Sequence, residues 1–302
     1  MIDYEKLNPI VLSKDEFASN QILFKIDEKR NYNFSIKDDL KALNFKKKPI
    51  DLIDYEKAFK KVINHIKFGD TYLLNLTFPT EINFTSSFEN IFYNAYSTYK
   101  VLMKNSFISF SPECFIKIKK NKIFSYPMKG TISALVKDAE NKILNNKKEL
   151  WEHNTIVDLI RNDLATYASN IKVTKFRYLE KVLNAGSPLL QVVSEVKGDL
   201  DKNWKNYLGN LIWEMLPAGS ISGAPKLKTI DVIRSVEKGF RGYYSGVYGY
   251  FDGSSLDSAV AIRFIEKRND KFYYRSGGGI TSNSILNEEY DELLKKIYVP
   301  II

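Results

Sequence analysis

A single cysteine, Cys114, leaves the chain unable to close an internal disulfide. Histidine is almost as scarce: His65 and His153 are the only two, so a zinc site of cysteine and histidine ligands lacks its raw material. Any metal must then be held by carboxylates. No apolar run approaches the length of a membrane span, and no charged segment leads into an apolar one at the start, so a cytoplasmic protein is expected. Internal repeats, low-complexity tracts and long linkers are missing too. The net charge of +9, from 45 Lys and Arg against 36 Asp and Glu, is spread along the chain and forms no basic arm. That distribution argues against a nucleic-acid stripe and suits a small anionic ligand.

What remains is a chain of 302 residues, 44% apolar and 27% charged, long enough for a large buried core. The stretch Leu216 to Lys226, LPAGSISGAPK, fits neither a helical nor a strand period. It reads as a tight connection between two helices, with Ser222 capping the second and Pro225 near its first turn. Such a turn can aim backbone N–H groups at a cavity, or can be an ordinary connection. A phosphate loop is excluded: three residues, not four, lie between Gly219 and Gly223, and Leu227 follows Lys226.

Strands are expected at Ile22 to Ile26, Tyr72 to Phe78, Ser106 to Ser109 and, after Gly186 and Pro188, at Leu189 to Val196 with a turn near Gly198. Phe115 to Ile118 and Lys122 to Tyr126 form a hairpin over a Lys-Asn turn. Helical spacing runs from Tyr55 to a stop at Gly69, around Phe88 to Tyr99, through Asp138 to Leu164, from Pro225 to about Lys238, and from about Ile285 to Tyr298. Val247 to Phe251, Ser258 to Glu266 and Lys271 to Arg275 make a meander with turns at Asp252-Gly253 and Asn269-Asp270. The pattern predicts an α+β chain with large, mainly antiparallel sheets.

Two helices carry acidic pairs three residues apart and so on one face: Glu149 with Glu152, and Glu289 with Glu292, the latter followed by Lys296. Such pairs are either solvated or, on an apolar stripe, hold a cation, and two of them can close on one magnesium ion. Lys129, in YPMKGTI, is either an exposed strand-end lysine or a nucleophilic amine in a dry cleft. Arg263, in the middle strand of the meander, is either a paired core charge or a carboxylate anchor. Gly277 to Gly279 brings the backbone close to a neighbour. His65 reads as a packing or surface residue, and His153 as catalytic or structural.

YPMKGTI, KELWEHNTIVDLIRNDL, LPAGSISGAPK, RGYYSG, AIRF and GGGITSNSILNEEYDELLKK stand in the order seen in the chorismate-utilising enzymes, which the chain resembles from about Tyr55 onward. The resemblance implies one domain over 1–302, two big mainly antiparallel sheets packed face to face with helices outside, and an active site in a cleft between them. It makes Glu152 and Glu292 magnesium ligands supported by Glu149 and Glu289. Tyr244 and Arg263 would hold one substrate carboxylate, and Lys296, Gly278 and Gly279 would face carboxylates. Gly130 and Thr131 would line the ring, with Gln191 and Ser222 also against substrate.

The lysine before Gly-Thr resembles the aminodeoxychorismate synthase component I branch. It implies a catalytic Lys129 with Lys226 and Glu149 assisting, and 4-amino-4-deoxychorismate as product on the route to 4-aminobenzoate and folate. The anthranilate-forming branch is the alternative reaction, and a silent chorismate-binding or scaffold subunit the alternative of another kind. Gln191 stands where many members have histidine, and Leu286 where they have proline. An amino-acid-binding motif near the N-terminus is not evident. Cys114 lacks the context of a glutaminase nucleophile, so the implied partners are a separate glutamine amidotransferase subunit supplying ammonia and a downstream aminodeoxychorismate lyase.

Overall fold

The computed structural model describes residues 1–17, 21–33, 46–184 and 187–301. Its strands in chain order are β1 (Ile22–Ile26), β2 (Lys29–Arg30), β3 (Lys46–Lys48), β4 (Leu73–Asn83), β5 (Tyr99–Met103), β6 (Phe107–Ser111), β7 (Cys114–Lys119) and β8 (Lys122–Ser125). These are followed by β9 (Met128–Ser133), β10 (Ala168–Asn184), β11 (Ser187–Leu200), β12 (Gly223–Ala224), β13 (Val247–Phe251), β14 (Leu256–Val260), β15 (Phe264–Arg268) and β16 (Lys271–Ile280). The helices are α1 (Leu52–Phe68), α2 (Phe88–Asn94), α3 (Ala139–Leu144), α4 (Lys147–Ala165), α5 (Leu208–Met215), α6 (Lys226–Val236) and α7 (Leu286–Lys295).

Among the described residues nine strands form sheet I, in the order β12-β4-β16-β15-β6-β5-β1-β2 with β3 also on β4. Seven form sheet II, β10-β11-β8-β7-β14-β13 with β9 also on β11. The pairing is antiparallel in both, as expected. Phe24, Val101 and Phe107 of sheet I meet Tyr248 and Ala259 of sheet II in a shared apolar layer, so the sheets pack against each other. Outside sheet I, α1, α6 and α7 cover Leu74, Leu76 and Phe78. Outside sheet II, α4 and α5 cover Ile116, Ile118 and Val196. The helices lie outside because each presents one apolar stripe and one polar face.

Several expectations need correction. The helix around Phe88 stops at Asn94, because the buried Lys100 ammonium donates to the Phe92 and Ala95 carbonyls at its C-terminal end and Tyr99 belongs to β5. The run from Asp138 is two helices: Asn146 accepts from the Glu149 N–H and starts α4 afresh. Gly198 lies inside β11, where an added Cβ would come within 2.5 Å of Ile171 on β10; it marks close packing, not a turn. The long β10 had no counterpart in the sequence pattern, since register shifts between Ser169 and Tyr178 break its alternation. Gly186 lies outside the described residues.

LPAGSISGAPK is more than a helix connection. It contains a 3₁₀ turn, Gly219–Ile221, and then β12, which pairs with Leu73 and Leu74 of β4. Gly223 is there for close approach, with φ at +143° and the Leu73 carbonyl oxygen 1.9 Å from where a Cβ would stand. Ser222 does not cap α6; its buried hydroxyl donates to the Ala218 carbonyl, and Pro225 takes the N-cap position. Other local signals hold: Gly69 closes α1 at φ +90°, and Asn269-Asp270 turn the last hairpin with both φ values positive.

The expected middle strand of the meander is two strands in two sheets. β14 belongs to sheet II and β15 to sheet I, with Ala261, Ile262 and Arg263 crossing between them and Arg263 at φ +52°. The preceding chain crosses at the same level: β6 lies in sheet I and β7 in sheet II, with Pro112 and Glu113 between. The crossings are bonded to each other, Val260 N–H to the Glu113 carbonyl and Phe110 N–H to the Arg263 carbonyl. The sheets part at this double crossing.

Candidate active site

A cavity of about 460 Å³ opens where the sheets part. Glu113 and Arg263 reach it from the two crossings. Lys129, Gly130 and Thr131 come from β9, Gln191 from β11, and Glu149 and Glu152 from α4. Gly279 lines it from β16, Glu292 and Lys296 from α7 and its C-terminal end, and Tyr244 from the turn before β13. Residues from eight separate chain regions thus meet in one concave, strongly charged space, as expected of a site for a polar ligand. An adjoining cavity of about 480 Å³ shares the Met128, Thr131, Gln191 and Arg263 walls.

Lys129 is central. Its ammonium nitrogen is 3.6 Å from Glu152 Oε2, and a Cβ on Gly279 would stand 3.2 Å from the same nitrogen and 3.4 Å from that Glu152 oxygen. Glycine there keeps this end of the cavity open. Burial drives the Lys129 amine toward its neutral form, but the Glu152, Glu292, Glu149 and Glu113 carboxylates together outweigh it and hold the amine above the ordinary lysine range. The neutral amine that a nucleophilic role needs is therefore not the form these side chains favour by themselves.

The carboxylates divide into two sets. Burial raises Glu113 and Glu152 above the ordinary carboxyl range, partly opposed by Ser220 at Glu113 and by Lys129 at Glu152. Glu292 is also desolvated, yet Lys296, Lys129 and Lys148 outweigh burial and hold it below that range. Lys296 donates to Glu292 at 2.6 Å and to the Gly277 carbonyl at 2.8 Å. Arg263 donates to the Lys296 carbonyl at 3.2 Å and lies 4.7 Å from the Tyr298 ring centre, which aims its guanidinium along the cavity wall.

Four predicted residues stand outside the lining. Lys226 is held by Asp163 at 2.6 Å and the Met215 carbonyl at 2.9 Å, joining α6 to α4 behind the cavity. Ser222 is fully buried in its turn. Gly278 points away toward α7, where a Cβ would meet Glu289 and Glu292 oxygens at 3.3 and 3.4 Å. Glu289 is 1% exposed and bonded to Lys148 at 2.6 Å. Conversely, sequence reasoning missed Glu113, Lys148, Ser220 and Arg275, all of which line the cavity. Glu113 carried a signal in Ser111-Pro112-Glu113, an acid at a proline-broken strand end.

His153 is structural. It is fully buried on α4, with Nε2 2.6 Å from the Ser194 hydroxyl, which also accepts from the Arg177 N–H. Burial lowers its imidazole to about 4, with the Arg177 and Lys129 cations acting in the same direction. The folded state thus disfavours the proton that the unfolded chain takes up near 6.5, so stability is lost as pH falls from about 6.5 toward 4. A His153→Gln variant should show a shallower fall in urea midpoint than the wild type across that window; parallel curves would refute the assignment.

The donor chemistry fits a hard divalent cation. Glu149, Glu152 and Glu292 line the cavity with carboxylate oxygens, and Glu289 Oε2, just outside that lining, is buried with no hydrogen-bond partner. Among the described residues no three acidic, histidine or cysteine side chains are gathered into a ready-made cage. Magnesium does not require one, since it takes one or two carboxylates and completes its shell with water or substrate oxygens.

The family model for chorismate binding enzymes matches residues 13–301. The chain belongs to this family. An uncharacterized PabA-like protein of Haemophilus influenzae is 49% identical over 301 residues, which span all of this chain and 91% of that one. Aminodeoxychorismate synthase component 1 of Bacillus subtilis is 28% identical over 81% of this chain and 54% of its own length. Anthranilate synthase component I of Streptococcus pneumoniae shares the fold with a TM-score of 0.70 at 27% identity, over 84% of this chain and 58% of that one. The chain therefore spans little more than half the length of these last two relatives. Family membership makes it a chorismate-utilising type of enzyme, and the two-sheet architecture is the one the resemblance implied.

Among the described residues no helix is long and apolar enough to cross a membrane.

Proposed function

We propose that the protein is the chorismate-converting component of an aminodeoxychorismate synthase, taking ammonia from a separate glutamine amidotransferase and passing product to a lyase. The observation that carries this reading is the Lys129 amine inside the cavity, next to Glu152 and the bare backbone of Gly279. In this reading Lys129 adds through nitrogen to ring carbon two as the hydroxyl leaves carbon four. Ammonia then adds at carbon four and the lysine leaves carbon two, so chorismate and ammonia give 4-amino-4-deoxychorismate and water.

Glu113 supports the first step as an acid. Its carboxyl is buried, raised, and faces the cavity, so it can hold a proton for the departing hydroxyl. Arg263 and Tyr244 take one substrate carboxylate and Lys296 another, while Gly130 and Thr131 flank the ring. Glu152 and Glu292 would hold magnesium, which when bound supplies positive charge to the ring carboxylate and neutralises the carboxylates that keep Lys129 protonated. Lys226, paired with Asp163, is assigned to positioning α6 against α4, not to chemistry.

The deciding experiment is product identification by mass spectrometry after incubation with chorismate, magnesium and ammonium. 4-Amino-4-deoxychorismate is expected. Anthranilate and pyruvate, formed with no lyase added, would instead assign the protein to the anthranilate-forming branch.

A further inference from the structure

Arg275, in the cavity wall, is a buried cation whose donors are almost all unused. It is 4% exposed, and a guanidinium carries five N–H groups. Among the described residues only one of them, on Nη2, has an acceptor, the Phe240 carbonyl at 3.5 Å. Its Nε is buried with no hydrogen-bond partner. The nearest carboxylate, Glu266, stands 3.7 Å away and is closer to Arg268, at 2.9 Å. Two guanidinium groups therefore share one carboxylate, and burial outweighs Glu266 in pulling Arg275 below the ordinary arginine range. Arg241 shows the contrast of a structural arginine, with four bonds at 2.6 to 2.9 Å.

The register of β16 gives the direction of Arg275. It pairs with Phe264, a residue of the apolar layer between the sheets, so its side chain also points between them. Gly279 is four residues on, hence on the same side of the strand, and meets Lys129 and Glu152 in the cavity. Four residues of strand span about 13 Å, and Gly277 and Gly279 put no side chain in the way. Tyr244 completes this end of the cavity, its ring centre 5.2 Å from the Arg275 guanidinium.

We infer that Arg275 is a substrate anchor: it joins Tyr244 and Arg263 on the carboxylate farther from the Glu152 and Glu292 end, and it sets the affinity for a dicarboxylate. The inference rests on the proposed function only in taking chorismate as that dicarboxylate. A carboxylate there supplies the fork-shaped acceptor the guanidinium lacks and balances the charge that Glu266 alone does not. Arg275 forms and breaks no bond in the reaction, so its contribution is to binding, felt alike by substrate and transition state.

The test is calorimetric titration of chorismate into the full chain with magnesium present and ammonia absent, paired with steady-state kinetics of chorismate consumption at saturating ammonium. Arg275→Met keeps the apolar stem and removes the charged fork. It should bind chorismate about thirtyfold more weakly than the wild type, and kcat/KM should fall by a similar factor, carried by KM and not by kcat. The urea midpoint of the ligand-free variant should not fall, because the guanidinium it removes is poorly bonded; the gain in midpoint on adding chorismate should shrink. Arg275→Lys keeps the charge without the fork and should lie between the two.

Chorismate affinity within about twofold of the wild type in Arg275→Met would overturn the inference, as would a loss carried by kcat with KM unchanged. A lowered ligand-free midpoint with wild-type chorismate affinity would do the same, marking Arg275 as a structural partner of Glu266. Should Arg275→Met fail to fold, Arg275→Lys decides alone: binding weaker by about threefold or more supports the anchor, and unchanged affinity counts against it. Anthranilate as the product would sink the proposed reaction and leave the anchor standing, whereas 4-amino-4-deoxychorismate with unaltered affinity in Arg275→Met would sink the inference alone.

Discussion

Lys129→Ala should lower chorismate consumption with saturating ammonium by about a thousandfold or more, with the urea midpoint close to that of the wild type. The size follows from the role: in the proposed reaction this amine forms and breaks a bond to the ring, and two other lysines of the cavity wall are held elsewhere. Lys296 is committed to Glu292 and Gly277, and Lys148 to Glu289. The effect on stability should be small because Lys129 is a desolvated cation in a cavity, not a packed core residue. Lys129→Arg should be nearly as inactive, since a guanidinium keeps its proton and cannot serve as an amine. Rapid chemical quenching of the wild type with chorismate should leave a chorismate-derived mass on the peptide containing Lys129. Full activity in Lys129→Ala would remove the basis for the proposed function.

The second large effect is on stability. Arg241→Leu should cost about 3–5 kcal/mol in urea unfolding, because it strips a buried carboxylate of its partner. Arg241 is 1% exposed and donates to both Glu237 oxygens at 2.9 and 2.6 Å. Its remaining donors go to the Ile221 carbonyl at 2.8 Å and the Asn75 carbonyl at 2.7 Å, and its guanidinium lies 4.6 Å from the Tyr4 ring centre. One side chain therefore ties the LPAGSISGAPK turn, β4 and the RGYYSG turn together behind the cavity. Glu237 also accepts from the Thr77 N–H, so it stays buried when Arg241 is removed. The double variant Arg241→Leu with Glu237→Leu should then be less destabilised than the single one. A single-variant loss below about 1 kcal/mol would show that the network contributes little.

Much of the site's inventory was legible in the sequence, because local rules govern it. Spacing of three on a helix puts Glu149 with Glu152, and Glu289 with Glu292, on one face wherever that helix packs. The hairpin at Asn269-Asp270 needs only two residues that tolerate positive φ. The ordered motifs carried the family and, through it, the two-sheet fold.

What failed were statements about direction and about summed fields. Ser222 looked like a helix cap because serine before a helix usually is one, yet pairing of β12 with β4 turned its hydroxyl inward. Arg263 looked like a mid-strand residue because Ser258 to Glu266 is continuously strand-like. Only pairing β14 to β7 and β15 to β6, in different sheets, breaks the strand there and presents the guanidinium to a cavity. Glu113 is set opposite Arg263 by the same crossing and has no local mark beyond its proline.

The sequence by itself determined which chemical groups this protein has, the hairpin turns, and the family that shares its motifs, since each depends on residues close together in the chain. The tertiary structure alone decided which groups share one space: Lys129 with Glu152 and Gly279 in the cavity, Lys226 behind it with Asp163, and Glu289 capped by Lys148. It also decided that Lys129 is held protonated, because its charge is settled by carboxylates from β7's approach, α4 and α7 acting together across a poorly solvated gap.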